Sequence, residues 1–228
     1  MIEIIVIGEG ATEETFVRDV FAPYLALNNV FATARLIQTG SGGQKGGALS
    51  FERVARSLSN TLKERANTYV TTLFDLYGLK PEFPGFEDSR RLAEPAARSA
   101  FLETALHQAI VTRAGCRPER FLPHIQPHEF EALLFSDIPA LCSIEPDWAK
   151  HEALLTLEAN RYPNPEWIND SPQTAPSKRL AALSPTYGKV RHGALAAQSI
   201  GLDAMRARCP HFAGWVSRLL ALTPLAAE

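Results

Sequence analysis

Ile2-Glu-Ile-Ile-Val-Ile-Gly8-Glu9-Gly10-Ala-Thr-Glu13-Glu14 decides the fold. A nearly unbroken apolar run of strand length stops on a carboxylate and a glycine, and an amphipathic helical pattern follows at once, with Phe16, Val20, Tyr24 and Leu27 on one face. A buried strand feeding a helix is the start of a βα unit. An acid held at the carboxyl end of such a strand sits where open α/β sheets bind ligands, and it needs a counter-charge or a metal. The arrangement recurs at Tyr69-Val-Thr-Thr-Leu-Phe-Asp75 and at Phe121-Leu-Pro-His-Ile-Gln-Pro-His128-Glu129-Phe-Glu131. Three strand ends therefore each present carboxylate.

Working outward, strands are expected at 2–8, 31–38, 69–75 and 121–127, and helices at 12–27, 50–66 and 96–114. The class is α/β, with a mostly parallel sheet flanked by helices. Val54, Leu58 and Leu62 form the inward face of the second helix. Gly40-Ser-Gly-Gly-Gln-Lys-Gly-Gly47 does not fit a phosphate loop, since Lys45 is followed by Gly46, and reads as a mobile connection. Gly78-Leu-Lys-Pro-Glu-Phe-Pro-Gly85 reads as a shaped loop overhanging Asp75. Beyond residue 137 the texture turns to short helices broken by prolines, which reads as a helical extension over 138–228 packed on a core of 1–137.

With 46% hydrophobic and 21% charged residues, 228 residues can bury a full core. No leader pattern and no membrane-length apolar run are seen, so cytoplasmic residence is expected. Cys116, Cys142 and Cys209 form no C-x-x-C pair, and a disulfide framework is not expected. From Ser171 onward seven Lys/Arg face two acids, giving that segment +5 and leaving −7 on the rest of a chain of net charge −2. A basic flank beside an acidic centre suits a site that holds cations and attracts a polyanion, though a solvated helical face gives the same count.

Glu9 and Glu13 lie one helical turn apart and can converge on one cation, whereas Glu14 is explained by the helix dipole. Glu129 and Glu131, spaced i, i+2, share a side if the segment is extended. A divalent ion would relieve their repulsion. His128-Glu129 lacks the second histidine of H-E-x-x-H, which points away from zinc and toward a hard, oxygen-seeking Mg²⁺ or Mn²⁺. His128 either orients water or an acid, or packs beneath the site. Lys178, in Ala175-Pro-Ser-Lys-Arg179, and Lys189, in Tyr187-Gly-Lys-Val-Arg-His-Gly193, are candidates to neutralise charge on a phosphoryl group.

These residues resemble the Toprim fold of topoisomerases, DnaG-type primases and OLD-family nucleases over roughly 1–137. Glu9-Gly-x-x-Glu13 is similar to the opening motif, Asp75 to the first acid of Asp-x-Asp, and Glu129-Phe-Glu131 to the later pair; Tyr77 stands where the second acid of Asp-x-Asp is found. More narrowly, His-Glu-Phe-Glu-Ala-Leu-Leu-Phe, Ala-Pro-Ser-Lys-Arg and Cys-Pro-His-Phe resemble a Toprim-like bacterial family of unknown function that spans the whole chain. The resemblance implies a Mg²⁺- or Mn²⁺-dependent nuclease acting on DNA or RNA, with an ATPase partner in anti-phage defence by analogy. It implies Glu9, Glu13 and Asp75 on one cation, Glu129 and Glu131 on a second, and Lys178 or Lys189 as the late lysine. The alternative is a non-catalytic metal- or nucleotide-binding subunit of a larger complex.

Overall fold

The computed structural model describes residues 1–37, 50–169 and 174–225. The glycine-rich segment at 40–47 lies outside them, as do residues 170–173. Strands β1 (Ile2–Gly8), β2 (Val30–Leu36), β3 (Tyr69–Asp75), β4 (Phe121–Leu122) and β5 (Ile125–Gln126) form one parallel sheet in the order β2-β1-β3-β4, with β5 also on β3. Every pairing is parallel, from Ile2 opposite Val30 to Asp75 opposite Gln126. Parallel neighbours need crossovers, and these put helices on both faces.

Alternation along β1 assigns those faces. Ile4 and Val6 point into one apolar cluster with Phe16, Phe21, Phe130 and Trp215, while Ile7 points into the other with Leu58, Phe74 and Leu106. The second face is covered by α3 (Phe51–Glu64) and α5 (Pro95–Ala114), with the short α4 (Phe86–Ser89) before it. Val54, Leu58 and Leu62 of α3 are buried as the periodicity predicts.

The first face is covered by the opening helix and by the chain beyond 137. That second part comprises α6 (Ile138–Cys142), α7 (Pro146–Ala149), α8 (Glu152–Ala159), α9 (Pro176–Leu183), α10 (Lys189–Ile200), α11 (Leu202–Arg208) and α12 (Pro210–Leu220). Its aromatic side chains enter the core of the sheet: Trp215 stacks on Phe21 with ring centroids 4.7 Å apart, and its indole N–H donates to Thr71 Oγ1 on β3 at 2.9 Å.

Two expectations are corrected. The opening helix is not one regular α-helix but α1 (Ala11–Phe16), a π-helical turn (Val17–Phe21) and α2 (Ala22–Ala26). The wide turn advances the inward face by one residue, so Val17, Phe21 and Leu25 are buried where Val20 and Tyr24 were expected, and Leu27 is 82% exposed. The fourth strand is two short pieces, because Pro123 has no N–H to give to the ladder. Thr72 bridges the gap: its hydroxyl donates to His124 O at 2.8 Å and accepts from His124 N at 2.9 Å.

Candidate functional site

The carboxyl ends of β1, β3 and β5 lie side by side, and all five acids singled out in the sequence collect there. Glu9 leaves β1 and turns across to the next strand, where its Oε1 accepts from Asp75 N at 2.8 Å. Gly78 makes this possible, since a Cβ at that position would stand 2.5 Å from Glu9 Oε2. Glu13, buried in the first turn of α1, folds back to accept from Gly10 N at 2.8 Å. That bond satisfies one of the free donors at the helix start.

Asp75 ends β3 and accepts from Phe130 N at 2.8 Å through Oδ1. The contact depends on the connection after β5. There His128 adopts a positive φ of 61°, which is uncommon for a residue with a Cβ, and Glu129 returns to extended backbone before the 3₁₀ turn Phe130–Ser136. Phe130 drops into the core, and Glu129 and Glu131 both reach the acidic cluster. Carboxylate oxygens of Asp75, Glu129 and Glu131 lie within 4.8 Å of one another. Glu9 and Glu13 adjoin this trio and repel Asp75 electrostatically.

The surroundings press these groups toward their neutral forms. Burial, with repulsion from Glu13, raises Glu9 to about 7 despite the Asp75 N–H. Burial, followed by repulsion from Glu129, raises Glu131 to about 7 against the pull of Lys189. Asp75 is raised well above the usual carboxylate range by burial and then by Glu13 and Glu9, and Glu13 is raised by burial. Lys189 is the counter-charge. Its Nζ lies 3.0 Å from Glu131 Oε2 and 3.9 Å from both Asp75 Oδ2 and Glu129 Oε2. Burial would lower its pKa, but Glu131, Asp75 and Glu129 outweigh that and hold the ammonium charged.

Of the two candidate lysines, the geometry brings in Lys189 and leaves Lys178 exposed on α9. His128 stands at the edge, with Nδ1 3.2 Å from Asn169 Nδ2 and its ring 5.7 Å from that of Tyr77. Tyr77 itself is 43% exposed on the 3₁₀ turn that follows Asp75.

Two residues of the site were not identified from sequence. Ser177 gives both its backbone N–H, at 2.5 Å, and its hydroxyl, at 3.0 Å, to the two oxygens of Glu129. Tyr187 donates its hydroxyl to Glu131 Oε1 at 3.4 Å, and burial followed by the charges of Glu131 and Glu129 raises its pKa. Both stand in the two segments chosen for their lysines. The available signal was that each segment opens a helix: Ser177 is in the first turn of α9 and Lys189 is the first residue of α10. Helix starts carry free N–H groups and a positive dipole end, which suits them to meet carboxylates.

A family model described as a domain of unknown function (DUF4276) matches residues 8–220. No curated protein and no solved structure matches the chain.

Proposed function

Given that the chain belongs to the DUF4276 family, we propose that it is a divalent-cation-dependent phosphodiester hydrolase of Toprim type acting on DNA or RNA. The matched segment begins in β1 and ends in α12, so the acids of the strand ends and the Lys189 and Ser177 of the late helices are parts of one family domain. The carrying observation is the trio of half-buried Asp75 and buried Glu129 and Glu131, with oxygens within 4.8 Å.

A fit to Mg²⁺ or Mn²⁺ follows from the donor set. Among the described residues the cluster offers carboxylate oxygens in excess of the one lysine in ion-pair reach, Lys189, and two of its acids are held near 7 by burial. Asp75, Glu129 and Glu131 would hold the ion, with Glu9 and Glu13 beside them. When bound, such an ion polarises a phosphoryl oxygen and makes water a better nucleophile. Glu131, raised to about 7 by burial in the ion-free chain, would bind the ion as a carboxylate and release its proton to solvent. Lys189 supplies fixed positive charge where negative charge grows on the phosphoryl oxygens. Ser177 locks Glu129 in place, and Gly78 lets Glu9 close over the backbone of Asp75. Exposed Lys178 and Arg191, in the first turns of α9 and α10 and one and two residues beyond Ser177 and Lys189, add positive charge suited to a polyanion.

A second reading rests on Tyr77. It stands exposed where the Asp-x-Asp pattern has an acid, and this favours a metal- or nucleotide-binding subunit that serves an ATPase partner without cleaving anything itself. Incubating the full chain with single- and double-stranded DNA and RNA in Mn²⁺, beside Glu131→Gln and Glu9→Ala, separates the readings. Cleavage by the parent alone supports the hydrolase. Cleavage by all three proteins removes it. Mn²⁺ binding without cleavage by any of them moves the case to the binding subunit.

A further inference from the structure

A second polar cluster lies away from the acids, where α5, the link between β4 and β5, and the start of α12 meet. Its members are Glu103, His124 and His211, and one donor atom from each lies within 4.8 Å of the other two. The latter two histidines stand in the sequence motifs Leu122-Pro-His-Ile-Gln126 and Cys209-Pro-His-Phe212, which the acidic site does not use.

His124 is fully buried, flat against Trp215 with ring centroids 4.3 Å apart. Burial disfavours its charged form. Its Nε2 lies 3.2 Å from the Gln126 side-chain amide. Nδ1 faces Glu103 Oε1 at 3.4 Å, a separation too long for a strong hydrogen bond. A ring nitrogen facing a carboxylate oxygen in the interior needs a proton or a metal cation between them. The same Oε1 lies 2.8 Å from His211 Nε2.

We propose that Glu103, His124 and His211 form a site for a borderline divalent transition ion of the Zn²⁺ class, separate from the acidic cluster. The donors are His124 Nδ1, His211 Nε2 and Glu103 Oε1, two imidazoles and one carboxylate, a set that suits zinc better than magnesium. Tetrahedral zinc with bonds of about 2.0–2.1 Å sets its donors roughly 3.3 Å apart. The 3.4 Å separation of His124 and Glu103 already has that length. The His211–Glu103 contact opens slightly as the proton between them leaves to solvent.

The supporting shell is in place. Ile125 N donates to Glu103 Oε1 at 2.9 Å and Arg218 lies 3.6 Å from Oε2, so both carboxylate oxygens are held in place while the second lone pair of Oε1 faces the histidines. Glu166 accepts from the backbone N–H groups of His211 and Phe212, both at 2.9 Å, and fixes the start of α12. A cavity of ≈ 530 Å³ lined by Glu103, His107, Phe121 and Arg218 brings open space up to Glu103, one of the three ligands.

The test uses the full chain stripped with chelator and then titrated with Co²⁺, whose visible bands report tetrahedral coordination, and with Zn²⁺, followed by thermal unfolding. The expected result is one Co²⁺ per chain with tetrahedral bands, and a rise in Tm with Zn²⁺. Glu131→Gln, in the acidic cluster, leaves both unchanged, while Glu103→Gln and His211→Asn weaken binding by about 10–100-fold or more. Should either variant fail to fold, the parent's own spectrum and Tm shift decide. Absence of the bands or of the shift overturns the site, and so does their loss in Glu131→Gln or their survival in both Glu103→Gln and His211→Asn.

Discussion

Glu131 and Glu103 are both nearly inaccessible glutamates in one small domain, yet the first is raised to about 7 and the second is held at about 2. Burial pushes both the same way, so the neighbours make the difference. Glu131 shares one lysine with four other acids, whereas Glu103 has two imidazoles to itself. Among the described residues the acidic cluster sets five carboxylates against one lysine, and in the proposed reading a hard cation supplies the balance. The Glu103 cluster is nearer charge balance, with two imidazoles and Arg218 around one carboxylate.

The largest expected effect falls on the acidic cluster. Glu131→Gln and Lys189→Met should each lower Mn²⁺-dependent phosphodiester cleavage by at least about 10²–10³-fold, the scale of losing one charged group aimed at a transition state. Single-turnover cleavage at saturating Mn²⁺ measures it, and near-parental rates in both would place the chemistry elsewhere. On the other side of the comparison, Glu103→Gln should spare cleavage but destabilise the fold by about 3–5 kcal/mol, since it strips a buried partner from His211. Urea denaturation of the metal-free chain would show it.

The two clusters should also respond oppositely to pH. Glu9 and Glu131 bind protons more tightly folded than unfolded, so their stabilising effect is complete below about 4.5 and lost as pH rises through about 7. Glu103 works the other way: its contribution is present above 4.5 and lost as pH falls toward about 2. In chelator, stability should decline by on the order of a few kcal/mol between pH 5 and 8. Mg²⁺ should relieve that decline, because the ion replaces the protons. His211, itself raised by Glu103 against its burial, adds a decline above 6.5 that Mg²⁺ does not relieve. A flat profile in chelator would mean that the acids are less crowded than their burial implies.

Position at a strand end was readable from sequence because apolar runs closed by acids have one physical meaning, and Glu9, Asp75, Glu129 and Glu131 meet as that pattern requires. The parallel α/β sheet was legible for the same reason. Where local structure departs from its regular period, the signal disappears. Nothing in Phe16-Val-Arg-Asp-Val-Phe21 announces a π turn, so the inward face was misplaced by one residue. The choice between Lys178 and Lys189 depended on how α9 and α10 dock, which is a tertiary outcome. The Glu103 cluster joins residues 21 and 87 positions apart in three elements, and no spacing rule brings Glu103, His124 and His211 together.

Gly78→Ala probes the acidic cluster more gently. Its backbone tolerates a side chain, but the new methyl would meet Glu9 Oε2 at 2.5 Å. Glu9 must then swing off the Asp75 N–H, and Mn²⁺ affinity should fall by roughly 10-fold, as for loss of a supporting contact. Calorimetric titration reads this directly, and Co²⁺ binding at the Glu103 cluster should not move.

The smallest effect is expected at Lys178. Exposed in the first turn of α9, it has the charge of Lys189 but not its carboxylate partners, so any part it plays is long-range attraction of a polyanion. Lys178→Ala should leave the rate at saturating nucleic acid unchanged and weaken binding a few-fold, with the slope of log affinity against log salt falling by about 1. Lys189→Met, in contrast, should change the rate far more than the salt slope, since its charge is already engaged by Glu131. If Lys178→Ala lowered the saturated rate as much as Lys189→Met does, the two lysines would share one role, and the arrangement of α9 and α10 around the acids would need revision.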